Sequence, residues 1–195
     1  MALFICLTVL VKGGHARGLN ELIAGQLEKQ IAPALTAAAI FISNIGQWYV
    51  YLPVSVVLLI IPRTRLKIGL PVALSISASA ITNNALKIIF AVPRPGGYGL
   101  VQESGFGYPS GHVMNCVVFF GMLAYLFCRY SNRKPYKAIC LTAAAASALL
   151  MGLSRVYLGV HTVTDALGGC MAGLTMLFSA ITIKETLIAK TRGKN

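Results

Sequence analysis

The fold class predicted by this 195-residue sequence is an all-α polytopic membrane protein: a six-transmembrane-helix bundle with an extra amphipathic helix between the first two spans. Three observations predict it. Hydrophobic residues make up 56% of the chain and charged residues only 11%, a balance too apolar for a soluble domain and too regular for a disordered one. The apolar residues gather in runs that approach the roughly 20 residues needed to cross a hydrocarbon core. The basic residues are spread over the connections between runs and do not form one patch.

The first run, residues 1–11, is short, and it lacks the basic start and small-residue cleavage site of a signal peptide, so it reads as a first helix. In the connector that follows, Leu19, Leu22, Ile23, Leu27 and Ile31 recur at helical spacing, with Asn20, Glu21, Gln26, Glu28, Lys29 and Gln30 on the other positions. This amphipathic helix suits either the outer membrane interface or a cap packed on the bundle. Spans follow at residues 46–61, 68–90, 112–129, 138–153 and 161–183. Trp48, Tyr49 and Tyr51 open the second span as an aromatic belt would.

With the short first helix counted, three basic groups fall on one side: Arg63, Arg65 and Lys67; Arg129, Arg133, Lys134 and Lys137; and Lys184, Lys190, Arg192 and Lys194. The positive-inside rule makes that side cytoplasmic. The net charge of +12 is then explained by topology and contact with anionic lipid, and it does not call for nucleic acid. The expected location is the cell (inner) membrane, multi-pass, with residues 93–111 and 154–161 on the periplasmic or extracellular side. No repeat or second domain is evident, so residues 1–195 read as one domain. The five cysteines lie in or at the ends of apolar runs without a C-x-x-C pair, which suggests neither a disulfide framework nor a zinc site.

Three blocks at the outer helix ends carry candidate chemistry: KIIFAVPRP with Lys87 and Arg94, PSGH with Ser110, Gly111 and His112, and SRVYLGVHTVTD with Arg155, His161 and Asp165. Between the first two lies a loop with five glycines, where backbone can approach a ligand and aim its N–H groups inward. Its only acid, Glu103, reads as a solvated turn residue, with substrate discrimination as the second reading. Three cations and two histidines beside such a loop fit a doubly charged anion such as phosphate. Arginine supplies paired planar donors, lysine a compact charge, and the N–H groups of Ser110 and Gly111 a helix N-terminus. His161 and Asp165 stand at i, i+4 and so share a helix face; the carboxylate can accept from one imidazole nitrogen and leave the other as a nucleophile. His112, on another helix, is placed for proton transfer. Gly169 and Gly173 form a G-x-x-x-G spacing suited to close helix contact, while Asn83 and Asn84, one turn before Lys87, either support the site or join helices.

The pattern Lys87-x6-Arg94-Pro95, Pro109-Ser110-Gly111-His112 and Ser154-Arg155-x5-His161-x3-Asp165 resembles the three-part signature of the type 2 phosphatidic acid phosphatase (PAP2) superfamily. The resemblance implies a membrane lipid phosphatase in which His161 attacks phosphorus to form a phosphohistidine, Asp165 orients it, and His112 serves as acid and then base. Lys87, Arg94, Ser110, Gly111 and Arg155 would hold the phosphoryl oxygens. It implies no metal or other cofactor; the sequence itself points to no nucleic acid and no obligate protein partner, and the expected partners are the bilayer and a lipid phosphate. The candidate substrates are phosphatidylglycerophosphate and undecaprenyl diphosphate, with phosphatidic acid close behind. Competing readings are a lipid phosphotransferase sharing the first step, an intramembrane serine protease built on Ser110, and a non-enzymatic lipid-phosphate binding or transport protein.

Overall fold

The computed structural model describes residues 1–131 and 134–192, so the expected cytoplasmic charges Arg133 and Lys194 lie outside the described residues. Among the described residues, eight α-helices carry the fold: α1 (Ala2–Lys12), α2 (Arg17–Glu28), α3 (Pro33–Ile45), α4 (Trp48–Ile60), α5 (Leu70–Phe90), α6 (Gly111–Tyr130), α7 (Lys134–Tyr157) and α8 (Val163–Arg192). A π-helical turn, Arg65–Gly69, leads into α5, and no strand occurs among the described residues.

Each break has a local cause. The chain turns by 83° between α1 and α2 at Gly13 and Gly14, the latter at φ +73, a conformation open to glycine. Pro33 starts α3 from the first helical turn, where its missing N–H costs nothing. Helix α5 ends where Ala91 adopts a left-handed conformation, φ 49.

Among the described residues, four helices are long and apolar enough to cross a membrane: Arg65–Phe90, Gly111–Tyr130, Tyr136–Tyr157 and Val163–Thr191. The count rises to six if each bent pair, α1 with α2 and α3 with α4, is one span. The expected run at 46–61 is therefore only the 13-residue α4, which meets α3 at 41°. Helix α3 itself is an addition to the predicted layout. Its stretch PALTAAAIFISNI is apolar but short, and Gly46 and Gln47 interrupt it before α4, so it reads in sequence as connector.

Helix α6 is the hub. Half of its span is buried, against 22% in α5 and 28% in α7 and α8, so the other long helices pack on α6 and turn their remaining faces outward. Val113, Cys116 and Val117 of α6 pack with Met151 of α7 near one end, and Phe119, Met122 and Leu126 pack with Tyr51, Val72 and Leu177 farther along. Gly169 and Gly173 make the α6–α8 contact possible: a Cβ there would stand 2.5 Å from the Ser110 carbonyl oxygen and 2.9 Å from that of Met114. Outward faces are apolar, among them Ile81, Ile88 and Ile89 of α5, each about 70% exposed, as lipid-facing positions should be.

The long helices alternate in direction. The C-termini of α5 and α7 and the N-termini of α6 and α8 therefore share one end of the bundle, while Lys67, Arg129 and Lys190 belong to helix ends at the other. That second end is tied by the Tyr125 hydroxyl, which donates to Glu185, and by Lys184 over the rings of Tyr125 and Tyr130.

Candidate active site

The sequence blocks converge at the first end of the bundle. A backbone bond from the Ser110 N–H to the Asp165 carbonyl, 3.0 Å, fastens the start of α6 to the start of α8. His112 and His161, 49 residues apart in sequence, are thereby set on one rigid piece. The fully buried Tyr108 braces the turn before Ser110; its hydroxyl is paired with that of Thr8 at 2.9 Å, and its ring lies against Phe4 and Phe90. The Asn83 amide donates to the Pro109 carbonyl at 3.3 Å, and its Oδ1 would lie 2.7 Å from a Cβ at Gly111, so a side chain at this position would displace the Asn83 amide.

His161 and Asp165 are 3% and 2% exposed, with Nδ1 and Oδ2 3.4 Å apart. The same carboxylate oxygen accepts the Thr162 N–H at 2.9 Å, which fixes its direction. At the other side of the ring, Nε2 lies 3.3 Å from Arg94 Nη1. Guanidinium can only donate, so Nε2 carries the lone pair and the proton resides on Nδ1 facing Asp165. That is the tautomer a nucleophilic Nε2 requires. Burial, opposed by Asp165 and reinforced by Arg94 and Arg155, pushes the His161 pKa down to about 4, so the ring is neutral at physiological pH.

The cations are held by specific partners. Arg94 Nη1 donates to the Val160 carbonyl at 3.0 Å, and its Nε and Nη2 donate to the Ser104 carbonyl at 3.3 and 3.1 Å. Lys87 Nζ donates to the Phe106 carbonyl at 2.8 Å. Arg155, 1% exposed, donates from Nη1 to Ser43 Oγ of α3 and from Nη2 to Glu103 Oε1 at 2.6 Å. Glu103 also meets Arg94 Nη2 at 3.5 Å. The solvated-turn reading of Glu103 is thus corrected, because its carboxylate bridges two of the predicted anion-binding arginines. A lone acid in a glycine-rich loop carries no pairing signal, and Ser43 has none at all; of the supporting residues, only Asn83 carries one, its place one turn before Lys87.

Four buried side-chain polar atoms among the described residues lack a hydrogen-bond partner, and three of them belong to the predicted site: Ser110 Oγ, His112 Nε2 and Arg155 Nε. Buried polar groups are seldom left unpaired without a function. An acceptor and donors held open together suit a ligand rich in oxygen atoms. The Ser110 hydroxyl makes no hydrogen bond to a histidine, the contact on which the serine-protease reading rests.

Two cavities border the site. One of about 760 Å³ reaches His161 and Asp165 and is roofed by α2 through Arg17, Asn20, Glu21 and Glu28. The Asn20 amide, donating to Thr164 Oγ1 at 2.8 Å, fastens that roof to α8. The other, about 560 Å³, is lined by Arg94, Glu103 and Ser104. Among the described residues, no three His, Cys, Asp or Glu side chains gather where they could hold a metal ion.

A family model described as the PAP2 superfamily matches residues 68–189, which include every predicted site residue. Phosphatidylglycerophosphatase B of Bacillus subtilis is 39% identical over 111 residues, 56% of this chain and 55% of that protein, so this match spans about half of each. Undecaprenyl-diphosphatase of Sulfolobus acidocaldarius is 29% identical over 95% of this chain and 90% of its own length. Among solved structures, the transmembrane PAP2 type phosphatidylglycerolphosphate phosphatase from Bacillus subtilis superposes with a TM-score of 0.88 at 29% identity, covering 95% of this chain and 94% of that one. Aquifex aeolicus LpxE shares the fold at a TM-score of 0.66 and 23% identity, covering 84% of this chain and 95% of its own.

Proposed function

The chain belongs to the PAP2 superfamily, and on that premise we propose that it is an integral-membrane, metal-independent lipid phosphate phosphatase acting through a phosphohistidine. The observation that carries this reading is the trio of open, buried atoms, Ser110 Oγ, His112 Nε2 and Arg155 Nε, beside a histidine whose Nε2 holds its lone pair. The phosphoryl group binds among Lys87, Arg94, Ser110, Gly111 and Arg155. His161 Nε2 attacks phosphorus as the bond to the lipid oxygen breaks, and His112 delivers a proton to that oxygen. Asp165 balances the positive charge that the phosphorylated imidazole acquires. Water then attacks the P–N bond, giving its proton to His112, and orthophosphate leaves. The fixed cations stabilise transition-state charge without reorganising.

The six-span count, with α1–α2 and α3–α4 as bent pairs, belongs to this reading. So do a single domain over the chain, an interfacial position for α2, and an active site on the periplasmic or extracellular side of the cell membrane. The basic residues at the opposite bundle end support that orientation. Phosphatidylglycerophosphate and undecaprenyl diphosphate are the leading substrates, in keeping with what the similar proteins are named for, and phosphatidic acid follows. The test is phosphate release in detergent, with chelator, from a panel of these lipids. Wild type should release phosphate from at least one and form an acid-labile phosphoenzyme, and His161→Ala should abolish both. Binding without release would support the transport reading, and appearance of a phosphorylated alcohol acceptor without orthophosphate the phosphotransferase reading.

A further inference from the structure

One short segment, residues 103–106, engages all three cations of the phosphate site at once. Arg155 Nη2 meets Glu103 Oε1 at 2.6 Å, and Arg94 Nη2 meets Oε2 at 3.5 Å. Arg94 also donates twice to the Ser104 carbonyl, at 3.3 and 3.1 Å, and Lys87 Nζ to the Phe106 carbonyl at 2.8 Å. A carboxylate spanning two guanidinium groups, followed by two carbonyl oxygens on the remaining donors, offers the same kind of acceptors that phosphoryl oxygens would. The contact to Arg155 is not a casual surface pair: that guanidinium is 1% exposed, whereas the Glu103 side chain is 24% exposed and borders the 560 Å³ cavity. The segment thus reaches inward from the rim. It also contains Gly105 at φ +77, with no neighbour within 4 Å of where a Cβ would be, a point about which the strap can pivot.

We propose that residues 103–106 form an internal strap whose Glu103 carboxylate competes with the phosphoryl group for Arg94 and Arg155, so that substrate binds by exchanging its own oxygens for those of the strap. This rests on the phosphate-site reading above and adds to it a resting state. The exchange also frees Arg94 to move off His161 Nε2, which it approaches at 3.3 Å, leaving the nucleophile's lone pair open to phosphorus. The strap keeps the buried cations paired when the site is empty, and it reduces apparent affinity to the intrinsic value multiplied by the fraction of time the site is open.

Two measurements test it. In the first, inhibition by orthophosphate is compared between wild type and Glu103→Gln. A strap closed nine-tenths of the time predicts a Ki for orthophosphate that falls by up to about tenfold in the variant. A Ki that is unchanged or raised overturns the proposal and makes Glu103 a scaffold for Arg155. The second keeps Glu103 in place and so does not depend on that variant folding. Phe106→Trp is made in a Trp48→Phe background, which removes the chain's one native tryptophan, and emission is followed as orthophosphate is added. A saturable shift with the concentration dependence of inhibition is expected; saturating inhibition with unmoved emission refutes the exchange. The emission titration reads orthophosphate binding and needs no turnover, whereas the lipid panel decides the proposed activity, so the two failures are distinguishable.

Discussion

Replacing Asp165 by asparagine tests the role of the buried His161–Asp165 pair. The substitution keeps the shape of the side chain, and it leaves untouched the main-chain carbonyl that fastens α8 to Ser110. It removes the negative charge 3.4 Å from His161 Nδ1 at a site 2% exposed. Attack on phosphorus turns the imidazole into a cation, so the lost interaction belongs to the transition state and not to the bound substrate. At an effective dielectric of about 20, opposite unit charges 3.4 Å apart attract by about 5 kcal/mol. That corresponds to a fall in kcat of about 10³- to 10⁴-fold. An amide that turns its NH₂ toward Nδ1 would add to the loss by moving the imidazole proton to Nε2. KM should change little, because Oδ2 is directed at His161 Nδ1 and the Thr162 N–H. The assay is steady-state phosphate release with the preferred lipid in mixed micelles, alongside the thermal midpoint. A kcat within tenfold of wild type, or a KM that rises as steeply as kcat falls, refutes the reasoning.

The depressed pKa of His161 gives two further outcomes. Once the substrate's own ionisation near 6 is allowed for, the acid limb of kcat/KM should fall near pH 4 and not near 6.5, since the neutral nucleophile persists down to its folded pKa of about 4. Between those values the unfolded chain binds more protons than the folded one. The thermal midpoint should therefore decline as pH drops from about 6.5 to about 4, by less in His161→Gln, and a flat difference would contradict the assignment. Ser43→Ala strips Arg155 of one buried acceptor, a charge-assisted bond of about 1.5–3 kcal/mol, so KM and the Ki for orthophosphate should rise about 10- to 100-fold with kcat less affected. In Gly169→Ala the new Cβ meets the Ser110 carbonyl, and overpacking should cost about 1–3 kcal/mol of stability together with activity. Gly25→Ala, where nothing lies within 4 Å, should cost neither, and equal losses in the two would rule out the close-contact explanation.

Motif spacing picked out residues that the fold brings together because they sit where helices begin and end. Lys87 closes α5, His112 opens α6, Arg155 closes α7 and Asp165 opens α8, so hydropathy alone places them at one end of an alternating bundle. The i, i+4 spacing likewise foretold the His161–Asp165 pair, though not the Thr162 N–H that aims the carboxylate. What pairs with the cations could not be read. Ser43 reaches Arg155 across 112 positions of sequence from a helix that composition presents as connector, and Glu103 finds two arginines only because its loop folds inward. Short bent helices also defeat span-finding by length: α3 and α4 have 13 residues each, under the length that signals a crossing.

The bare isoleucine face of α5 has a kinetic consequence. On the proposed function, Ile88 and Ile89, exposed immediately beside Lys87, let an acyl or prenyl tail lie along α5 while its head group turns into the site. Enzyme and substrate then meet by diffusion within a two-dimensional sheet. The concentration that governs turnover is the mole fraction of phosphorylated lipid in that sheet, and diluting it with inert amphiphile at constant bulk amount slows the reaction.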